Sequence, residues 1–329
     1  MVPARERRAA FLPSGNSAGL RKLRESMHRP VSAIARRNMT EKVGVVGGGI
    51  MGSGIAEVAA RAGFDVVLRE VDDAAAESAR LRLATSLGRA VRAGKFSEDD
   101  REAALARLSF TTELADLADR DVVVEAVVED ETEKSTVFRT LGTIVSPDCL
   151  LASNTSSIPI MKLASVTTHP ERVIGLHFFN PVPVLPLVEV VPSLLTAPET
   201  VRRAEDFAEN GLGKHTVLCK DRAGFVVNAL LIPFLLAAIR MVESGFASPE
   251  DVDTAMVAGC AHPMGPLALA DLIGLDTTHA VACSMYAEFK EPLYAAPPLL
   301  LRMVEAGLLG RKSGRGFFEY AAPPVGATA

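Results

Sequence analysis

Residues 42–56 read Lys42-Val43-Gly44-Val45-Val46-Gly47-Gly48-Gly49-Ile50-Met51-Gly52-Ser53-Gly54-Ile55-Ala56. Val43 to Val46 predicts a short buried strand. Gly47 to Gly52 predicts a tight turn, and Ile55 to Ala62 a helix ended by Gly63. Gly47, Gly49 and Gly52 have the spacing of a dinucleotide-binding turn. In such a turn the first glycine permits the sharp bend. The second lets backbone approach a pyrophosphate, and the third lets the helix pack on the strand. The helix N-terminus then offers N–H groups and a positive dipole end to the phosphates. Taken alone, the glycines could belong to any turn of an α/β protein. Their context favours the binding reading: a strand before, a helix after, and an acid, Glu70, at the end of the next strand, Phe64 to Leu68. A carboxylate there can bind both ribose hydroxyls and repels a 2′-phosphate. Arg69 beside it works the other way, since an arginine can hold that phosphate. NAD is the expected cofactor, with NADP as the alternative.

Outward from this unit the pattern alternates. Ala74 to Gly94 predicts a long helix, and Asp121 to Val128 an apolar strand followed by a charged helical start at Glu129. Leu150 and Leu151 lead into Ser153-Asn154-Thr155-Ser156-Ser157. Val173 to Phe179 and Leu187 to Val191 are two further strands. Strands alternating with helices predict an α/β fold with a doubly wound, mostly parallel sheet of Rossmann type. After Asp221 the chain changes to long helical patterns broken by Pro233, Gly245, Pro249, Pro263, Gly265 and Pro266. The expected organisation is a basic tail over residues 1–40, a Rossmann-type NAD-binding domain over 41–220, and an all-helical C-terminal domain for substrate and dimerisation over 221–329.

Composition bounds the function. The chain has 329 residues and is 48% hydrophobic, enough for about two domains. Cys149, Cys219, Cys260 and Cys283 are far apart and match neither a disulfide framework nor a zinc pattern, so no metal is expected. A reducing, cytoplasmic setting fits them. The most apolar stretch, Phe225 to Met241, is interrupted by Asn228 and Pro233 and closed by Arg240. It is short for a bilayer span of ~20 residues and reads as a buried helix, so no membrane partner is expected. Residues 1–40 carry nine Lys or Arg against two acids, a net of +7, within a chain whose net charge is −5. This segment lacks a sustained apolar period and reads as a disordered tail or an upstream start, with Met39 as the natural beginning. A targeting peptide or a nucleic-acid arm is the sharper alternative. The acidic remainder does not support nucleic-acid binding.

Two residues stand out for chemistry. His177 ends a strand among apolar neighbours, in Gly175-Leu176-His177-Phe178-Phe179-Asn180-Pro181. A histidine so placed is usually a satisfied core residue. Glu189, in Leu187-Val188-Glu189-Val190-Val191, is a carboxylate inside an apolar strand, and buried Glu is rare unless paired. Pairing it with His177 would resolve both oddities and make a base oriented by an acid. Ser156 and Asn154 could equally cap a helix, and Asn228 could be a buried amide bonded to backbone.

Several longer motifs occur in order along the chain. They are Gly47 to Ala56, Val124-Glu125-Ala126-Val127-Val128-Glu129-Asp130, Ser153 to Ser157 and Gly175 to Val182. Gly224-Phe225-Val226-Val227-Asn228, His262-Pro263-Met264-Gly265-Pro266 and Gly310 to Phe317 follow. Together they resemble the L-3-hydroxyacyl-CoA dehydrogenase family, and within it the bacterial 3-hydroxybutyryl-CoA dehydrogenases of actinobacterial type. The resemblance runs from about Glu41 to Tyr320. It implies that His177 is the general base and Glu189 its orienting partner. Ser156 and Asn228 would hydrogen-bond the reacting end of the substrate. Gly47, Gly49, Ile50, Met51, Gly52, Glu70, Glu129, Lys134, Asn180 and Lys312 match cofactor-contacting positions, with Asn180 beside the nicotinamide. Ser86 matches a contact to CoA. Ala93 stands where the family has a lysine, and Lys95 just beyond is the substitute candidate. Leu185-Pro186 departs from a common Met-Lys. Gly48 replaces a common alanine, a change expected to be harmless because both residues are small.

The resemblance implies reversible oxidation of (S)-3-hydroxybutyryl-CoA to acetoacetyl-CoA in fatty-acid metabolism such as β-oxidation, by a homodimer whose partner molecule is an acyl-CoA. The alternatives are a β-hydroxyacid or sugar-acid dehydrogenase that does not use CoA, and an inactive crystallin-like binding or structural protein. Retention of His177, Glu189, Ser156 and Asn228 together argues against the inactive version. Because the first strand begins after the tail, deletion of residues 1–38 is expected to leave melting temperature and kcat unchanged. A large loss of either would make the tail part of the folded structure.

Overall fold

The computed structural model of the protein describes residues 41–320. The basic segment 1–40 and residues 321–329 lie outside the described residues. Eight strands form one sheet: β1 (Lys42–Val46), β2 (Asp65–Arg69), β3 (Leu108–Thr111), β4 (Val122–Glu125), β5 (Leu150–Ser153), β6 (Val173–Phe178), β7 (Leu187–Pro192) and β8 (His215–Leu218). Their spatial order is β3-β2-β1-β4-β5-β6-β7-β8. β1 to β6 are parallel, β7 runs antiparallel to β6, and β8 pairs parallel with β7.

The sheet is covered on both faces, and side-chain alternation divides its two cores. Val122 and Val124 of β4 join Leu150 and Ala152 of β5 on one face, against Ile55 and Ala59 of the helix Ile50–Ala62 and Leu83 and Leu87 of the helix Asp73–Arg92. Val123 and Leu151 join the other face, against Phe138 and Leu141 of the helix Glu131–Ile144. Beyond β8 the chain is helical. The helices Val227–Glu243, Pro266–Ile273, Leu275–Phe289 and Pro298–Glu305 close a separate core around Leu235, Leu236, Leu267, Leu275 and Met285. Among the described residues no helix is long and apolar enough to cross a membrane.

Some elements differ from the sequence reading, for physical reasons. The first helix starts at Ile50 rather than Ile55, because its opening turn carries glycines instead of an apolar period. β4 ends at Glu125, whose own carboxylate takes the N–H of Val127 at 2.7 Å and turns the chain. The edge strands β3 and β8 were not expected. Both are short; β8 is largely open to solvent and β3 is mostly half-buried, so neither carries a fully buried run.

Gly48 corrects another expectation. A Cβ there would lie 2.5 Å from the Cβ of Ala79 and 2.9 Å from Leu68 Cδ2. The first contact is with a methyl held rigidly on the helix Asp73–Arg92, so that helix packs against the turn at a distance only glycine permits. Gly48→Ala is therefore expected to cost about 1–3 kcal/mol, the usual range for overpacking. Thermal denaturation checks this, and an unchanged melting temperature would mean that the helix can withdraw without cost.

Candidate active site

The glycine turn lies at the carboxyl ends of the parallel strands, and each of its glycines has a distinct reason. Gly47 has a φ of 96°, and a Cβ on it would meet Ala126 O at 2.7 Å. A Cβ on Gly52 would fall 1.8 Å from Gly47 O. At Gly49 a Cβ would meet nothing within 4 Å, so the backbone there is open to a ligand. Gly49 caps the helix Ile50–Ala62 without a side-chain acceptor, and no acid occupies its first turn. Its leading N–H groups thus have no side-chain acceptor competing for them. Ile50 is exposed and Met51 half-buried at this helix start. This arrangement fits a dinucleotide pyrophosphate.

Glu70 leaves the end of β2 and takes the N–H of Gly48 at 2.5 Å and that of Val71 at 3.0 Å. Arg69 Nε instead donates to Thr112 O at 3.0 Å. The acid is turned toward the glycine turn, and the arginine is committed to the β3 side.

The antiparallel register of β6 and β7 sets His177 directly opposite Glu189. His177 Nδ1 lies 2.7 Å from Glu189 Oε2, and both side chains are buried. The other oxygen, Oε1, accepts the N–H groups of Val226 and Val227 at 2.9 and 2.8 Å. These open the helix Val227–Glu243, so the same carboxylate orients the ring and anchors the helical region. A carboxylate only accepts, so Nδ1 carries the proton and Nε2 is the basic nitrogen. Nε2 faces Ser156 Oγ at 3.0 Å. Phe179 stands edge-on to the ring with centroids 4.6 Å apart, and Phe225, at a φ of 47°, packs at 5.4 Å.

Ser156 is held from behind by Glu129. Glu129 Oε1 accepts from Thr155 Oγ1 (2.5 Å), Ser156 N (2.9 Å), and both N and Oγ of Ser157 (3.1 Å each). Asn154 Oδ1 accepts from Phe178 N at 2.9 Å and ties the loop to β6. Neither Asn154 nor Ser156 caps a helix; Asp221 accepts the leading N–H groups of the helix Ile160–Ser165 instead. Lys134 is buried, with its ammonium 2.6 Å from Glu125, 3.3 Å from Glu129 and 3.3 Å from Val127 O. Glu125 also accepts from Ser153 Oγ at 2.7 Å. Burial pushes the Glu129 carboxyl up, but the Lys134 charge and the loop donors outweigh it, and it ends below the ordinary glutamate range.

The structure thus gathers His177, Glu189, Ser156, Glu129 and Lys134 into one connected network. Asn228 sits half-buried in the first turn of the helix anchored on Glu189, and its side chain makes no hydrogen bond among the described residues. Asn180 and Ser86 line a cleft of about 100 Å³ with Ile50, Arg82, Pro181 and Pro183. Lys95 lies exposed beyond the end of the helix Asp73–Arg92 and is not among the residues lining that cleft. Lys312 pairs with Asp276 at 2.5 Å in the helical region rather than with the glycine turn. Sequence reasoning missed Phe225 as a wall of the histidine and Glu125 as a buried acid. Glu125 sits in an apolar strand as Glu189 does, so the same oddity could have flagged it. Phe225 gave no signal, because its contact depends on how the chain turns after β8.

Comparison with known proteins agrees with this geometry. Residues 42–222 match the family model of the 3-hydroxyacyl-CoA dehydrogenase NAD-binding domain, and residues 224–320 match that of the 3-hydroxyacyl-CoA dehydrogenase C-terminal domain. The chain is 62% identical over 281 residues to a 3-hydroxybutyryl-CoA dehydrogenase of Mycobacterium tuberculosis, covering 85% of this chain and 98% of the relative. The crystal structure of M. tuberculosis FadB2 aligns with a TM-score of 0.85 at 61% identity, covering 86% of this chain and all (100%) of the other. That of (S)-3-hydroxybutyryl-CoA dehydrogenase PaaH1 from Ralstonia eutropha aligns with a TM-score of 0.81 at 44% identity over the same shares, 86% and 100%. The cofactor of such a domain is NAD, and the chain belongs to the 3-hydroxyacyl-CoA dehydrogenase family.

Proposed function

We propose that the protein catalyses the reversible oxidation of (S)-3-hydroxybutyryl-CoA to acetoacetyl-CoA. The observation that carries this reading is the His177 ring, fixed by Glu189 at 2.7 Å and presenting Nε2 to Ser156 at 3.0 Å. The names of the relatives supply the substrate class. NAD, when bound at the glycine turn, supplies the acceptor for the hydride leaving C3 of the substrate. His177 takes the proton of the 3-hydroxyl on Nε2, and the Glu189 carboxylate offsets the charge of the imidazolium. In the reverse direction the protonated ring returns that proton to the forming alcohol. Ser156 holds the reacting oxygen beside Nε2, and Asn228 donates to the substrate from the helical side. Asn180 and Met51 flank the cofactor, with Ile50 at the pyrophosphate. Glu129 and Lys134 act on the cofactor side by fixing the Thr155–Ser157 loop and Val127. Ser86 and Lys95 are the CoA contacts, and Lys312 is a cofactor contact completed when substrate and cofactor are bound. In this reading residues 41–220 bind NAD, residues 221–329 hold substrate and form a homodimer, and the enzyme works in the cytoplasm.

The reaction is tested with acetoacetyl-CoA and NADH. Removing a positioned base typically costs ~10²–10⁴-fold in rate. His177→Gln is expected to lose kcat on that scale while NADH binding, followed by fluorescence, stays near the unmutated value. Glu189→Gln should behave similarly, keeping the shape but losing the charge behind the imidazolium. Near-normal kcat in His177→Gln would return His177 to the class of buried structural histidines.

Glu70→Ala removes both the ribose acceptor and the anchor on Gly48. It is expected to weaken NADH use and relax discrimination against NADPH, measured as the ratio of kcat/KM for the two cofactors. An unmutated enzyme that already prefers NADPH would overturn this account of Glu70 and Arg69.

A further inference from the structure

Lys214 is a buried cation that the proposed chemistry does not use. It follows Gly213, just before β8, and only 8% of its surface is exposed. Its ammonium donates to two main-chain carbonyls, Val182 O at 2.5 Å and Leu185 O at 2.8 Å. Among the described residues no carboxylate pairs with it. Two charged groups act on it, both from the helix Ile50–Ala62: Arg61 repels it and Glu57 attracts it, and these two are paired with each other at 3.2 Å. Burying an ammonium against carbonyls alone is costly, so the segment those carbonyls belong to matters.

The carbonyls it holds belong to the turn between β6 and β7. That turn closes on itself through Val184 N and Leu185 N, which both donate to Pro181 O at 2.9 Å. On its other side it presses on the glycine-turn helix, where a Cβ on Gly54 would meet Val182 Cβ at 2.9 Å. Asn180, Pro181 and Pro183 of this segment form one wall of the cleft shared with Ile50 and Ser86. The turn is thus held between a helix and the Lys214 ammonium, with the His215 N–H donating to its last residue, Pro186 O, at 2.7 Å.

We propose that Lys214 is a positioning residue for the substrate cleft, clamping the 181–186 turn by its carbonyls so that Asn180 and the prolines keep their place against the glycine-turn helix. This rests on the dehydrogenase reading for its kinetic readout. Burial is the main cause that pushes the Lys214 ammonium down to about 8, with Arg61 adding and Glu57 opposing. The group is charged below that pH and neutral above it. A neutral amine still donates, but without the charge that strengthens each bond. The clamp is therefore full at neutral pH and slackens as pH rises through about 8.

The test compares the unmutated enzyme with Lys214→Arg and Lys214→Met, using acetoacetyl-CoA and NADH on either side of about pH 8. In the unmutated enzyme KM for the thioester is expected to rise above that pH, and KM for NADH with it, because the clamped turn carries Asn180 beside the cofactor as well as the cleft wall facing Ser86. Lys214→Arg, which keeps its charge, should abolish the alkaline rise. Lys214→Met should raise KM for the thioester by about tenfold below that pH, with the difference from the unmutated enzyme shrinking above it and kcat nearly unchanged. Backbone amide exchange at Val184 and Leu185 reads the same clamp without substrate, and should quicken in Lys214→Met and, beyond the intrinsic effect of base, above about pH 8 in the unmutated protein. If the unmutated protein fails to reduce acetoacetyl-CoA, the reaction is wrong and the clamp stands or falls on exchange. A thioester KM and amide protection that are both indifferent to pH in the unmutated protein would overturn the proposal, whatever the fate of the variants.

Discussion

The structure turns on one buried carboxylate. Glu189 has no exposed surface, and an ionised group so placed is tolerated only when its lone pairs are taken by donors. Three donors meet that demand: the Nδ1–H of His177 and the N–H groups of Val226 and Val227. Each imposes something on the fold. The first needs the antiparallel register that sets residue 177 across from residue 189. The other two need the helix Val227–Glu243 to begin at that point and aim its N-terminus at the sheet. A chain that slipped by one residue in β7 would point this carboxylate to the opposite face and leave both the imidazole and the helix end without a partner.

A second carboxylate system, the buried Glu125 with the more exposed Glu129, performs the same service for the serine loop. Lys134 sits between Glu125 and Glu129 with almost no exposed surface. Its charge keeps Glu129 ionised, which lets one oxygen gather the donors of Thr155, Ser156 and Ser157. Glu125 reaches the N–H of Val127, next to Ala126, whose carbonyl faces the first glycine of the cofactor turn. The N–H of Ala126 donates to Val46 O and that of Asn154 to Glu125 O, both at 2.8 Å, so the strand leading into the cofactor turn and the loop carrying Ser156 are joined through β4. Such networks specify geometry closely when all members are satisfied and are costly when one is removed.

The glycine turn shows a different kind of constraint, set by close approach rather than charge. Gly52 lies against Gly47 O, and Gly48 against Ala79, so the turn, its own helix and the helix Asp73–Arg92 meet at distances that no side chain fits. The open space above Gly49 is the complement of that crowding. Close packing below leaves backbone N–H groups facing outward, where an anion can take them.

The sequence by itself determined the fold class and the meeting of His177 with Glu189. Strand–glycine–helix order, the acid after β2, and the change to helical periodicity past Asp221 are local patterns, and local patterns survive without knowledge of contacts. The improbability of Glu189 in an apolar strand was also legible, because burial of an unpaired acid is costly on any fold. Tertiary structure alone decided what the acids touch. The second bond of Glu189 to a helix start, the packing of Phe225 on His177 and the grip of Glu129 on the serine loop all join residues distant in sequence. Gly48 shows the limit most clearly. Its smallness looked optional in the turn, and only the approach of Ala79 from another helix makes it necessary, since steric exclusion depends on distances that periodicity does not encode.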